Sequence, residues 1–434
     1  MNDAPDKIYD ICVIGGGING TGIARDAAGR GLSVLLCEKG DLAQATSSSS
    51  TKLIHGGLRY LEQYEFKLVA ESLTERERLL RAAPHIIWPM QFILPHEPHL
   101  RPKWMIRLGL FLYDRLGKRK ILPKSKSVSL INGAFGHKLQ DTYTHGFSYA
   151  DCWVEDSRLV VLNAMDARAR GADIHTRTAC TSLSVHDGLW RIKLTDEIDG
   201  DERTITARTV VNAGGPWVRS LLDDNNLADQ YTPHIRMSKG SHIILPKLYD
   251  GDHAYILQQP DERIVFAIPY EGQYTLIGTT DEDYTGDPLE ARISDDEMAY
   301  LCEATNRSFK TSISKNDVLW TYSGVRPLLD SGNANPSEVT RDYKLDIDHN
   351  HGAPLLSLYG GKLTTYRAVG EHVIDELSKY FDHIKPAWTK KSILPGGDIF
   401  EHDFDGFIKV QTSRYKWLDA VSYTHLTLPT TPYV

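Results

Sequence analysis

Several things are scarce in this chain of 434 residues. Cysteine is one: Cys12, Cys37, Cys152, Cys180 and Cys302 are few, odd in number and far apart, and no CxxC occurs. A reducing compartment therefore fits better than a disulfide framework. Long apolar runs are missing too. The most apolar windows, such as LGLFLY at 108–113, fall far short of the roughly 20 residues that cross a bilayer. Positive charge is not in excess: the net charge of −8 argues against general nucleic-acid binding but says nothing of a local patch. The opening MNDAPDKIYD is acidic and polar, unlike a secretory signal. No internal repeat is evident. The apolar and charged contents, 41% and 24%, are ordinary globular values, and the length suggests two or three domains. The expected setting is cytoplasmic, soluble or attached to a surface.

What is present begins with IYDICVI (8–14), an apolar β-branched run that predicts a buried strand. GGGINGTG follows, then a small-residue helical pattern, then a second buried strand, LSVLLCE (32–38). Gly15, Gly17 and Gly20 form G-x-G-x-x-G in this βαβ setting. The first glycine permits the tight turn. The second lets a pyrophosphate approach the backbone, and the third lets helix and strand pack closely. The helix N-terminus offers N–H groups to phosphate. Glu38, at the end of the second strand, can accept hydrogen bonds from a ribose and would repel a 2′-phosphate. The motif alone does not separate NAD from FAD.

Helical patterns follow at 65–85, 154–172 and after Gly361, and strands are expected at 189–194, 203–212, 240–245, 262–269, 274–279 and 355–361. Strand–helix alternation early and late, with a β-rich middle, predicts an α/β (α+β) protein. Its dinucleotide domain is built from separated segments and carries an inserted, mostly antiparallel β substrate domain. The serine-rich TSSSST (46–51) looks like a linker, yet LIHGGLRYLE follows at once and looks ordered. Small hydroxyl residues beside the first glycine turn suit further phosphate or a flavin ring.

Together IGGGINGTGIARDAAGRGLSVLLCEKGDLAQATSSSSTKLIHGGLRYLE, VNAGGPWV (211–218), KGSHIILP (239–246), IGTTDEDY (277–284), WTYSGVRPL (320–328), TRDY (340–343) and GGKLTTYR (360–367) form a specific set. On these the chain, from about residue 8 to about 420, resembles the FAD-dependent sn-glycerol-3-phosphate dehydrogenases of the aerobic, quinone-linked bacterial type, within the wider D-amino-acid-oxidase-like flavoproteins. The resemblance implies a Rossmann-type FAD-binding domain in three segments (1–98, 151–228 and 336–394). It implies a substrate domain at 229–335 with a contribution from 99–150, and the start of a truncated helical domain at 395–421. The Thr- and Pro-rich end, 422–434, departs from the family and is expected to be an unstructured or non-native tail.

The resemblance assigns the cofactor to Gly15, Gly17, Asn19, Gly20, Glu38, Thr46, Ser47, Ser48, Lys52, Leu53, Gly56, Asn212, Gly214, Gly361, Lys362, Leu363 and Thr364. It brings Arg59, Tyr60 and Arg341 to the substrate, and gives Arg326, Lys362 and His242 to catalysis. Two or three converging cations suit a phosphate dianion, whereas one guanidinium would serve a carboxylate equally well. The implied reaction is oxidation of a secondary alcohol, with hydride leaving for flavin and a base taking the hydroxyl proton. A histidine, ordinarily of pKa about 6.5, suits that base, and His242 is the choice; Tyr60 and Lys362 could share the task. His85, His96 and His99 lack metal-ligand spacing, so no metal is expected.

The stretch 99–127 holds nine lysines and arginines (Arg101, Lys103, Arg107, Arg115, Lys118, Arg119, Lys120, Lys124 and Lys126) against one acid, Asp114. Trp104, Met105, Leu108 and Phe111 are interleaved. A basic, Trp-bearing amphipathic helix suits an anionic bilayer surface, and quinone as acceptor is consistent with it. Packing of its apolar side onto the substrate domain is the alternative. The expected partners are therefore sn-glycerol 3-phosphate, a quinone, the inner face of the cell membrane and a second copy in a homodimer; nucleic acid is not among them. Rival readings are a glycerol-3-phosphate oxidase using oxygen, an amine or amino-acid oxidase, and a flavin-binding protein without turnover.

Overall fold

The computed structural model describes residues 7–62, 64–97, 101–117, 119–131, 133–330, 342–399 and 404–417. Two sheets organise them. The first is built around β1 (Ile8–Ile14), which is followed by helix α1 (Ile18–Gly29) and β2 (Val34–Cys37). Its order is Tyr343–Asp348, Leu355–Gly360, Glu202–Asn212, β1, β2, Asp173–His175. All neighbours are parallel except the antiparallel edge strand Tyr343–Asp348. The strand order reverses at β1, so its carboxyl end lies at the switch point where open α/β sheets bind ligands.

The alternation within β1 explains the layering. Ile11 and Val13 face a core shared with Ile23, Ala24 and Ala27 of α1 and with Val369 and Val373 of the helix Tyr366–Leu377. Cys12 and Ile14 face the other way, onto Trp190 and Ile192 of the hairpin Thr178–His186/Leu189–Asp196. Small residues let α1 and the Tyr366–Leu377 helix cross closely: a Cβ on Gly370 would stand 2.9 Å from the Gly22 carbonyl oxygen.

The second sheet is mostly antiparallel. It contains Ile87–Pro95, His145–Val154, Ile235–Pro246, Ala254–Gln258, Ile264–Tyr270, Tyr274–Gly278 and Trp320–Leu329 among its described strands. Among the described residues only the Ala254–Gln258 and Ile87–Pro95 pairing of this sheet is parallel. Two differences from the sequence reading stand out. Ile87–Pro95 and His145–Val154 belong to this sheet, although 87–95 falls in the expected first cofactor segment and 151–154 in the second. The TSSSSTKLI stretch forms a short 3-10 turn, Thr46–Ser48, and then a two-residue strand, Leu53–Ile54, on the edge of the second sheet. It therefore bridges the two sheets. The end at 422–434 lies outside the described residues, as do Lys118, His99 and Arg341.

Helix α2 (Phe66–Ala82) is locked to the Tyr366–Leu377 helix by ions rather than grease. Arg367 donates from Nε and Nη2 to both oxygens of Glu75, at 2.6 and 2.8 Å, and from Nη1 to Glu371 at 2.6 Å. Arg367 and Glu75 are both buried. The Arg367→Ala substitution leaves the Glu75 carboxylate buried and short of its bidentate partner, at a cost of about 3–5 kcal/mol. Thermal denaturation checks this. The paired change Arg367→Met with Glu75→Leu is expected to recover most of the lost melting temperature.

Candidate active site

One large cavity, about 1010 Å³, runs from the end of the Thr178–His186 hairpin past the carboxyl end of β1 to the inner face of the second sheet. Its first wall is the glycine turn. Gly15 has φ +112°, and a Cβ there would lie 2.6 Å from the Ala213 carbonyl oxygen. A Cβ on Gly20 would lie 1.9 Å from the Gly15 carbonyl oxygen. The turn is thus packed backbone on backbone. α1 starts from Gly17 with no side-chain cap and no acid in its first turn. That leaves its N-terminus attractive to an anion.

Glu38 braces this turn. Its carboxylate accepts from the Gly16 N–H at 2.6 Å and from the Gly40 N–H at 2.7 Å, while the side chain remains on the cavity wall. Each carboxylate oxygen has a second lone pair for a ligand hydroxyl. Ser47 accepts from the Ile18 N–H at 3.0 Å. Thr46 donates to the Val325 carbonyl at 2.6 Å, and Tyr322 donates to the Ser50 carbonyl at 2.9 Å. The serine stretch is therefore stitched both to α1 and to the strand Trp320–Leu329, which carries Arg326.

A flavin dinucleotide fits these residues on two observations. The glycine cradle has space only for bare backbone, and the Asn19 side-chain oxygen is buried on the cavity wall without a hydrogen-bond partner. Gly214 and the run Gly361–Thr364 form the facing wall. That run begins as a 3-10 turn, Leu363–Thr365; the α-helix proper starts at Tyr366 rather than near Lys362.

At the second-sheet end the cavity gathers Arg59, Tyr60, Arg326 and Lys362. The Lys362 ammonium sits 3.9 Å from the centre of the Tyr60 ring, a cation–π contact that holds both. Arg326 donates to the Thr279 hydroxyl at 3.2 Å and to Asp281 at 3.4 Å. Arg341 lies outside the described residues.

Several expected residues stand behind the wall instead of on it. Gly20, Ser48, Lys52, Gly56, Asn212 and His242 do not line the cavity. Lys52 is committed to Asp156 at 2.7 Å. Ser48 donates to the Ala45 carbonyl, and Asn212 bonds Val218 and Gly214. Gly20 and Gly56 are packing and anchoring positions.

His242 also stands behind this wall. It is 1% exposed and stacks on Tyr322 at 4.6 Å between centroids. Its Nε2 meets the Thr51 hydroxyl at 3.0 Å, and it is Thr51 that reaches the cavity. Burial, with Arg326 and Lys52 nearby, pushes its pKa well below the ordinary value. Its other ring nitrogen, Nδ1, is buried with no hydrogen-bond partner among the described residues. The sequence showed a histidine in a strand but not the face it would occupy. The histidine on the wall is His55, which the motif reading passed over; its backbone is held by the Thr364 hydroxyl at 3.3 Å from both N and O. Its place three residues after Lys52, among small residues, was the available signal.

Comparison with known proteins places the fold in a family. The family model described as FAD dependent oxidoreductase matches residues 10–367. A glycerol-3-phosphate dehydrogenase of Pseudomonas aeruginosa is 53% identical over 415 residues, covering 95% of this chain and 80% of the relative. A D-erythritol 1-phosphate dehydrogenase of Brucella abortus is 50% identical, covering 97% of this chain and 84% of the relative. Among solved structures, the glycerol-3-phosphate dehydrogenase of Bacillus halodurans complexed with FAD superposes with a TM-score of 0.73 at 27% identity. That match covers 97% of this chain and 75% of that one.

The cradle makes a direct prediction. Gly20→Ala forces the Gly15 carbonyl out of place, and FAD affinity is expected to fall about ten-fold or more, equivalent to about 1.4 kcal/mol. Absorbance of the purified protein near the flavin bands, and titration of the apoprotein with FAD, measure it.

Proposed function

The chain belongs to the FAD-dependent oxidoreductase family, and from that membership we propose how its site works. The protein is a flavin dehydrogenase that oxidises sn-glycerol 3-phosphate to dihydroxyacetone phosphate. The observation that carries the site assignment is the meeting of Arg59, Arg326 and Lys362 on one cavity with the glycine turn at the start of α1. FAD, when bound, supplies the two-electron acceptor for the hydride of the alcohol carbon.

The protein's own residues do the rest. Arg59 and Arg326 take the phosphate, whose two negative charges match converging guanidinium forks better than a single carboxylate would. Arg326 has five N–H donors, and its 3.4 Å contact with Asp281 is long for a charge-assisted bond, so phosphate can engage the same group. Lys362, restrained over Tyr60, orients the hydroxyl at the reacting carbon. His55 takes the hydroxyl proton, and Thr51, fixed from behind by His242, contributes a hydroxyl to the same wall. Loss of the C–H hydride and the O–H proton leaves the ketone.

The electron acceptor is a membrane quinone. Support comes from α3 (Lys103–Leu116), which buries only Leu110 and Tyr113. Trp104, Leu108 and Phe111, spaced along one face, are 66, 50 and 42% exposed. A helix that merely packed on the substrate domain would hide that face. Among the described residues no helix is long and apolar enough to cross a membrane. Surface docking on anionic lipid through this face and its basic flank is the form of attachment that fits.

Anaerobic addition of glycerol 3-phosphate to the FAD-loaded protein is expected to bleach the flavin. Absence of bleaching there, together with bleaching by D-erythritol 1-phosphate, would move the substrate to a longer polyol phosphate. Arg326→Met is expected to raise KM by about 10- to 100-fold, the worth of a hydrogen bond to a charged group, about 1.5–3 kcal/mol. His55→Ala is expected to cost about 10²–10⁴ in kcat, with His242→Gln far milder. The reverse ranking would return the base role to His242. For the surface, Arg115→Glu with Lys120→Glu is expected to abolish co-sedimentation with anionic vesicles while soluble-dye turnover persists.

A further inference from the structure

The loop that carries Arg59 and Tyr60 leaves the second sheet abruptly. Leu53 pairs with Trp153 and Ile54 with Cys152, and the ladder ends there. The next N–H that would have continued it, on Gly56, goes instead to the Tyr113 hydroxyl at 2.8 Å, with Asp151 Oδ1 at 3.4 Å. Tyr113 donates in turn to Asp151, 2.9 and 2.8 Å from its two oxygens. Asp151 is held from the far side by Arg76 of α2, whose Nη1 donates to it at 2.5 Å and to the Ala150 carbonyl at 3.0 Å. Arg76, Tyr113 and Asp151 are 3, 3 and 2% exposed.

This is a chain of polarised bonds ending on one backbone amide. Gly56 N–H, Tyr113 O–H, the Asp151 carboxylate and the Arg76 guanidinium line up donor to acceptor, and each bond strengthens the next in a dry interior. The space is equally specific: a Cβ on Gly56 would come within 2.7 Å of the phenol oxygen. Immediately after Gly56, Gly57 adopts φ +75° and opens the 3-10 turn Leu58–Leu61. The Tyr60 N–H closes that turn on the Gly57 carbonyl at 2.9 Å, and a Cβ on Gly57 would strike the Tyr60 ring. The turn is closed on itself by this bond and by the Glu62 N–H to the Arg59 carbonyl at 3.0 Å, so a shift at its first residue is passed on to Arg59 and Tyr60. The phenol itself stays protonated, because burial and the Asp151 charge push its pKa well above the ordinary value.

We propose that Tyr113, held by Asp151 and Arg76, is a positioning residue for the substrate: its hydroxyl fixes Gly56 and thereby sets where Arg59 and Tyr60 stand in the cavity. The inference rests on the reading above that Arg59 and Tyr60 receive the phosphorylated substrate. It adds that α3, through one of its two buried side chains, shapes the site without touching substrate or flavin.

The test uses the FAD-loaded full chain and four variants. Tyr113→Phe keeps the ring and removes the hydroxyl. KM for glycerol 3-phosphate is expected to rise about five-fold, the size of one neutral hydrogen bond, with kcat within about two-fold and flavin content unchanged. Leu110→Ala, one helical turn away, loosens the same packing without touching the bond chain. It should lower the melting temperature and leave KM alone. Asp151→Asn keeps an acceptor for the phenol and should shift KM less than Tyr113→Phe does. An unchanged KM in Tyr113→Phe overturns the proposal, and so does an equal rise in Leu110→Ala, which would mean general loosening. Arg59→Ala separates this from the reading beneath it. If Arg59→Ala raises KM while Tyr113→Phe does not, the positioning role falls and the substrate reading stands. If Arg59→Ala leaves KM unchanged, the substrate reading falls first.

Discussion

Everything in the cofactor half of the site depends on one close contact between backbones. The carboxyl ends of β1 and the Glu202–Asn212 strand are tied by the Ala213 N–H to the Ile14 carbonyl at 2.9 Å, and β1 is tied to β2 by the Gly15 N–H to the Cys37 carbonyl at 2.9 Å. Between them no side chain fits at Gly15, and none fits where α1 turns back at Gly20. Those two glycines are what let α1 begin directly beneath the strand ends, where Ser47 takes the Ile18 N–H and the helix N-terminus lines the cavity. The acid at Glu38 is drawn into the same constraint. It answers the N–H of Gly16 on one side and of Gly40 on the other, so that the turn and the β2 loop move as a unit.

The substrate half is reached by a strap rather than by the sheet itself. The segment from Thr46 to Tyr60 is bonded to the start of α1, crosses to the second sheet and delivers Arg59 to the cavity that Arg326 also lines. Small hydroxyl side chains suit it because each can exchange a backbone partner for a cross-link: Ser47 to α1, Thr46 to Val325, Ser50 to Asp156. Of its two charged anchors, the Asp151–Arg76 pair beneath Gly56 is buried, and the other joins a partly buried Lys52 to a buried Asp156. Buried pairs add little net stability against an apolar substitute, yet breaking one is costly, so they select a single arrangement of the strap. That selectivity is what a site assembled from two separate sheets requires.

Much of this could be read in the residues alone, and the part that could not has a common cause. β1 spans the predicted residues 8–14, and the glycine turn, Glu38, Arg59, Tyr60, Arg326 and the Gly361–Thr364 wall all meet on one cavity. These are features that local spacing encodes: a turn needs its glycine, and a strand its branched residues. What local spacing leaves out is a partner that lies far along the chain. Nothing near Lys52 says that Asp156 will claim it, and nothing in KGSHI says that the strand will turn His242 toward Tyr322 instead of the ligand. The helical reading of 99–127 was ambiguous because α3 has two apolar strips. One, through Ile106, Leu110 and Tyr113, packs inward, and the other, through Trp104, Leu108 and Phe111, does not. A single periodicity cannot assign both.

The chain's charge shows how such a site can attract a dianion although the whole protein is acidic, at −8. Local potential depends on which charges are already answered, not on totals. At the second-sheet end of the cavity Asp151 faces in, but its carboxylate is consumed by Arg76 and Tyr113. Asp281 accepts from Ser238 as well as from Arg326. Glu297, deeper still, is neutralised by Lys239 at 2.8 Å and takes hydrogen bonds from Ser241 and Thr280. These three acids are therefore turned into braces for the wall. Arg59, Arg326 and Lys362 line a cavity in which Asp151 is held by Arg76 and Tyr113 and Asp281 shares its charge between Ser238 and Arg326, so a phosphate entering it meets a guanidinium braced by a neighbouring acid.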